Sequence, residues 1–257
     1  MSELEVQPVG EPVPVVPGLS QWQRVVSVFT APSKTFQDIK RGNKSWWLPF
    51  IIMLLSYSVV YGVVTTHITW AQVYENQQRN LPEFARNMMD RMTPEQKAAQ
   101  AQKGPTSTAI GQVITPFFIL LLDVIGAGVL LATINFGFGG KATYGSLLAV
   151  ELYAGMAIWP IRWLLAAVAA WFSDPEGFNI QNPAPSNVAA FLSFQDTPKT
   201  LYYFLMGLDA LNIWGMVLTA IGVAVVAKVS RTSGYIAVFL WWAIGLGLGV
   251  AMGAMFS

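Results

Sequence analysis

The chain has 257 residues, 54% of them hydrophobic and 11% charged, with a net charge of +1 and no cysteine. A soluble domain carries roughly 25% charged residues, so this composition points to lipid surroundings. The near-neutral charge excludes the field that nucleic acid binding needs, and the absence of cysteine excludes disulfides, thiol catalysis and thiolate metal sites.

In chain order, residues 1–19 hold Pro8, Pro12, Pro14 and Pro17 with Glu3, Glu5 and Glu11 and no basic residue. They read as a disordered, Pro-rich arm and not as a cleavable signal peptide, which needs a basic start and an apolar run. Residues 20–257 read as one polytopic membrane domain. Ser20-Gln21-Trp22-Gln23 has the form of a capping box. Trp22, Val25, Val26 and Phe29 follow at helical spacing before Ala31-Pro32 breaks the helix. A second short helix starts at Pro32, carries Phe36, Ile39, Lys34, Lys40 and Arg41, and stops at Gly42-Asn43. Both helices are expected to lie in the membrane interface, anchored by Trp22, Phe29, Lys40 and Arg41. The alternative is a pair packed on the inner face of the bundle.

Five segments, 47–66, 110–136, 144–172, 201–227 and 235–256, are apolar over the roughly 20 residues that cross a hydrocarbon core of about 30 Å. Lipid offers backbone groups no partners, so each must be a helix. The predicted fold is therefore all-α integral membrane, with five transmembrane helices preceded by amphipathic interfacial helices. The loop 71–108 shows its own helix start at Thr93-Pro94-Glu95-Gln96 and a stop at Gly104-Pro105. Pro116 predicts a kink in the second span. Links 137–141 and 230–234 are tight, and 173–200 is rich in Pro, Asn and Ser with a short helix expected at 187–194. Trp46, Trp47, Trp70, Tyr144, Trp171, Tyr202, Tyr203 and Tyr235 fall near segment ends, as aromatic belts do. Lys40, Arg41, Lys44, Lys141, Lys228 and Arg231 flank the spans on one side, against Lys103 and Lys199 equally close on the other. The positive-inside bias thus predicts a cytoplasmic N-terminus and an external C-terminus.

Four ionisable residues fall within spans: Asp123, Glu151, Arg162 and Asp209. Each costs at least ~3 kcal/mol at mid-bilayer, so each is expected to face the bundle interior. Arg162 and Asp209 both count to the outer half and are expected to pair, with Asn212 one turn on adding a hydrogen bond. A charge-swapped double variant should then restore part of what Asp209→Ala loses. Asp123 and Glu151 have no basic partner in reach; they read either as a proton or cation site or as neutral, hydrogen-bonded carboxyls. His67 reads as a wet boundary histidine and not a metal ligand. Gly245, Gly249 and Gly253 recur every four residues, which suits close helix packing, with another span of the same chain as the expected partner. No phosphate loop, dinucleotide fingerprint or zinc-protease motif is present, and no serine has a histidine base in reach. No catalytic residue, cofactor or metal is expected. No internal repeat signals an inverted-repeat transporter.

Three stretches, in this order and spacing, resemble one family: VVSVFTAPSKTFQDIKRGNKSWWLPFIIMLL, MTPEQ, and LDALNIWGMVLTAIGVAVVAKVS. The chain from about Trp22 to its end is similar to the YIP family, the Ypt/Rab-interacting five-span membrane proteins, in its bacterial form. Asp209, Ile213, Trp214 and Gly222 carry the match in the third stretch. The resemblance implies a multi-pass protein, here of the bacterial cytoplasmic (inner) membrane. Eukaryotic members are associated with Rab GTPases and act as scaffolds or membrane-shaping factors. This chain lacks their long cytosolic N-terminal region and the Asp-Leu-Tyr-Gly-Pro-type motif, so a Rab GTPase partner is not carried over. The expected function is a non-enzymatic membrane scaffold or accessory subunit, touching the lipid bilayer and a membrane-protein partner, with a homo-oligomer left open. The alternative is a small ion or solute transporter using Asp123, Glu151 and Asp209.

Overall fold

The computed structural model describes residues 17–81 and 83–255, so most of the predicted N-terminal arm lies outside the described residues. Among those described, the elements are all helical: α1 (Gln21–Thr30), α2 (Pro32–Lys40), α3 (Trp47–Val63), α4 (Trp70–Arg79), α5 (Glu83–Asp90), α6 (Pro94–Ala132), α7 (Tyr144–Phe172), α8 (Lys199–Gly207), α9 (Ala210–Ala227) and α10 (Arg231–Met255). Five helical stretches are long and apolar enough to cross a membrane: Trp47–Ile68, Pro94–Gly137, Tyr144–Phe172, Ala210–Ala227 and Arg231–Ala254.

Local sequence explains most boundaries. Ser20 and Gln23 close a capping box at α1, Pro32 opens α2 at a position where a missing N–H is harmless, and Thr93 and Gln96 close the box at α6. Lys228 ends α9 in the left-handed region at φ 59°. Two boundaries differ from expectation. Gly104-Pro105 does not stop the outer-loop helix, and α6 runs unbroken for 39 residues through Pro105 and Pro116. That is about 58 Å at 1.5 Å per residue, so α6 projects well beyond a bilayer. Gly104 serves packing here: a Cβ at that position would lie 2.3 Å from the Tyr74 ring of α4. The predicted fourth span, 201–227, is two helices, because Leu208 leaves helical geometry and Asp209 starts α9 anew.

α7 is the axis of the bundle and touches α3, α6, α9, α1 and α2. Two dry clusters fill the interior. One, toward the end carrying α1 and α2, joins Val28, Phe36, Val150, Leu218 and Val223. The other, at the opposite end, joins Val64, Ile68, Ala166, Ala170 and Phe178. The outer flank of α6 exposes Ile110, Ile114, Phe117, Leu121 and Ile125, an apolar surface too large for water and suited to lipid.

α1 and α2 pack on the bundle rather than standing apart. Phe36 and Ile39 are fully buried, and Phe36 lies against Gly222 of α9, where a Cβ would fall 3.0 Å from the ring. Yet α1 turns Trp22, Val26 and Phe29 outward, 63%, 60% and 44% exposed. The pair therefore packs on the bundle, the alternative of the two expectations, while its other face remains apolar and open.

Candidate functional site

The polar residues of the interior form three groups. The first fixes α1 and α2. Arg24 is completely buried and sits on the face of α1 opposite Trp22 and Val26. Its Nε lies 2.9 Å from Asp38 Oδ2, and its Nη1 donates to the Asn43 and Ser45 carbonyls and to the Tyr153 hydroxyl of α7. Tyr153 donates in turn to Gln21 Oε1 at 2.8 Å. The Leu19 amide donates to Asp38 Oδ1, and Thr35 donates to the Arg24 carbonyl. Arg24, Asp38 and Tyr153 are absent from the sequence-based candidates. Arg24 is four residues from Ser20 and Val28 and off the apolar face, so only the placement of α7 above it reveals the role.

The second group lies near the opposite end. Arg162 Nη2 is 2.6 Å from Asp209 Oδ1 and donates to Asn212 Oδ1 at 2.9 Å. Asp209 is 1% exposed and caps α9, accepting from the Asn212 amide at 2.9 Å. Its other oxygen accepts from the Ser186 hydroxyl and from Asn187 Nδ2. The guanidinium lies 5.2 Å from the centre of the Trp159 ring, which stacks on Trp163. Asp209 thus joins α7, the break before α9 and the 173–200 loop. Ser186 and Asn187 lie outside the sequence-based candidates, yet Gly207 followed by Asp209 three residues before Asn212 is a legible helix start.

The third group is the acid pair. Asp123 of α6 and Glu151 of α7 line one cavity of about 190 Å³ with Asn212, Thr219, Trp159 and Trp242. Glu151 Oε1 approaches α6 at Gly126, one turn beyond Asp123, where an added Cβ would stand 3.5 Å away. Asp123 Oδ2 is buried without a hydrogen-bond partner. A second cavity of about 490 Å³, lined by Tyr57, Gln112, Arg162, Asn182 and Asp209, shares Trp159 and Asn212 with the first. Among the described residues, no three His, Asp or Glu side chains come together as a metal site would need.

Two further sets complete the picture. Gly253 packs on Tyr203 of α8, but Gly245 and Gly249 have nothing within 4 Å of an added Cβ. α8 meets α10 at Gly253 and, through Gly207, at Leu246, and neither contact falls on Gly245 or Gly249. Lys40 and Arg41 are exposed at the end of α2. His67 is exposed and stacks on Trp171 at 4.8 Å.

With the five spans and the two docked entry helices in place, the comparison with known families decides the identity: the Yip1 domain matches residues 26–252. The chain belongs to the Yip1 family. The match takes in all five spans of the Yip1 domain, with α1 entered partway and α10 nearly complete. No curated protein and no solved structure matches the chain. As a multi-pass Yip1 protein it contacts the lipid bilayer.

Proposed function

We propose that this Yip1 protein is a non-enzymatic membrane scaffold or accessory subunit of the bacterial cytoplasmic membrane, acting through protein or lipid contacts. Its N-terminus is cytoplasmic and its C-terminus external, the orientation that the basic residues beside α2, α7, α9 and α10 favour. The observation that carries the reading is the α1–α2 pair. A buried ion pair ties its two helices together, Tyr153 and the Phe36 seat hold it on the bundle, and it presents Trp22, Val26 and Phe29 outward. Exposed Lys40 and Arg41 stand at the end of the same platform. A rigid apolar and basic surface suits a companion protein or anionic headgroups better than it suits chemistry. Gentle extraction should yield a reproducible companion, and Trp22→Ser/Val26→Ser/Phe29→Ser should lose it while elution as a folded protein is kept. A wild-type protein that purifies alone would count against the scaffold.

A second reading, a small ion or solute transporter, draws support from the two adjoining cavities. One is lined by Asn182 and Asp209, the other by Asp123 and Glu151, and Trp159 and Asn212 belong to both walls. The dry cluster of Phe36, Leu147, Val150 and Val223 lies beyond them, so transport would need that cluster to open. On this reading the purified protein moves ions in liposomes and Asp123→Asn abolishes the movement. Movement that survives Asp123→Asn removes the acid pair from any pathway.

A further inference from the structure

On the face of the membrane opposite α1 and α2, basic residues from three separate elements meet in one cleft of about 340 Å³. Arg79 comes from the end of α4, Arg86 from α5 and Lys199 from the start of α8; Gln78, Leu81, Phe194 and Gln195 complete the wall. No carboxylate lines it. We propose that this cleft binds a phosphate group, carried by an anionic lipid headgroup or by a soluble phosphorylated molecule.

The arrangement is one that like charges do not adopt without reason. Lys199 is half-buried, with its ammonium 3.9 Å from the Phe194 ring centre and donating to the Phe194 carbonyl. Burial first, and the neighbouring Arg86 charge second, pull that ammonium below the usual lysine range, against the opposing pull of Asp196. Arg79 is fixed by bonds to Asn76 and to the Glu176 carbonyl at 2.7 Å, so its guanidinium is held in place before any ligand arrives. An anion between the three would turn mutual repulsion into charge-assisted hydrogen bonds. Two polar features point the same way. Gln78, in the cleft wall, has its Oε1 buried without a partner, and its carboxamide can also supply NH₂ donors. α8 begins at Lys199 with Pro198 as its cap, which makes no side-chain bond to the first turn, leaving a helix N-terminus that favours negative charge. Leu201 and Phe204 follow, 46% and 43% exposed, so the cleft opens beside an apolar surface at which a lipid headgroup would arrive.

The test uses the full chain in neutral detergent, titrated with short-chain phosphatidylglycerol, short-chain phosphatidylcholine and inorganic phosphate, and read by native mass spectrometry and thermal shift. Phosphatidylglycerol is expected to bind at least about tenfold tighter than phosphatidylcholine, the equivalent of one charge-assisted contact. Arg86→Gln/Lys199→Gln should erase that difference. Arg91→Gln/Lys97→Gln, which removes the same charge from exposed sites outside the cleft, should leave it unchanged. If Lys199→Gln disturbs α8, Arg86→Gln alone on an exposed side chain should still show a partial loss. Competition by inorganic phosphate identifies the phosphate itself as the recognised group and admits a soluble ligand; lipid binding that phosphate does not displace assigns the site to the headgroup. Equal binding of the two lipids with no phosphate binding overturns the proposal, as does an equal loss in the control variant.

Discussion

Asp209→Ala is expected to remove about 3–5 kcal/mol of stability, the usual cost of breaking one side of a buried ion pair. The loss has three parts. Arg162 would keep its charge with the side chain only 17% exposed and no carboxylate beside it. The Asn212 amide would lose its cap, a further loss of about 1 kcal/mol. Ser186 and Asn187 would lose the acceptor that holds the 173–200 loop against α9. A denaturant titration in detergent should rank wild type above Asp209→Asn and Asp209→Asn above Asp209→Ala, because the amide still caps. Arg162→Leu/Asp209→Asn should recover part of the loss, since no charge is then stranded. The charge-swapped pair, with arginine at 209, should recover little. An arginine cannot accept from the Asn212 amide, so the swap restores Coulomb attraction and forfeits the cap. A full rescue by the swap would mean that the pair matters only as two charges.

The all-helical class and the number of spans were readable from composition because lipid enforces a simple rule: a long apolar run must be a helix. The Arg162–Asp209 approach was readable too, since helical rise sets depth and two opposite charges in one half of a bundle have few alternatives. What was not readable is whether a helix continues through a weak stop. Gly104-Pro105 breaks a helix in isolation, but Tyr74 needs the absent Cβ, and tertiary contact overrides local preference. The reverse holds at Leu208, where hydrophobicity continues and the helix does not, because Asp209 is worth more as a cap and an ion-pair partner than as a mid-helix acid. The basic cleft was hidden for another reason. Arg79, Arg86 and Lys199 are far apart in sequence, and only the fold of the outer loops brings them together.

Arg24→Ala should release α1 and α2 from the bundle, at a cost of about 3–5 kcal/mol to that docked unit. Asp38 would be left 2% exposed with only the Leu19 amide as an anchor, and the Asn43 and Ser45 carbonyls and the Tyr153 hydroxyl would lose a shared donor. Val28, Phe36 and Ile39 and the Tyr153–Gln21 bond remain as weaker links, and the spans, packed on one another through Val150, Leu218 and Val223, should stay folded. Hydrogen exchange separates the two levels: the amides of α1 and α2 should exchange faster by orders of magnitude while those of α7 and α9 keep their protection. Arg24→Met/Asp38→Leu removes both charges and keeps apolar volume, and it should hold α1 and α2 more firmly than Arg24→Ala does. Because the scaffold reading rests on this platform being rigid, Arg24→Ala should also weaken companion retention as strongly as removal of Trp22, Val26 and Phe29. Retention that is untouched while α1 and α2 exchange freely would place the contact surface elsewhere on the bundle.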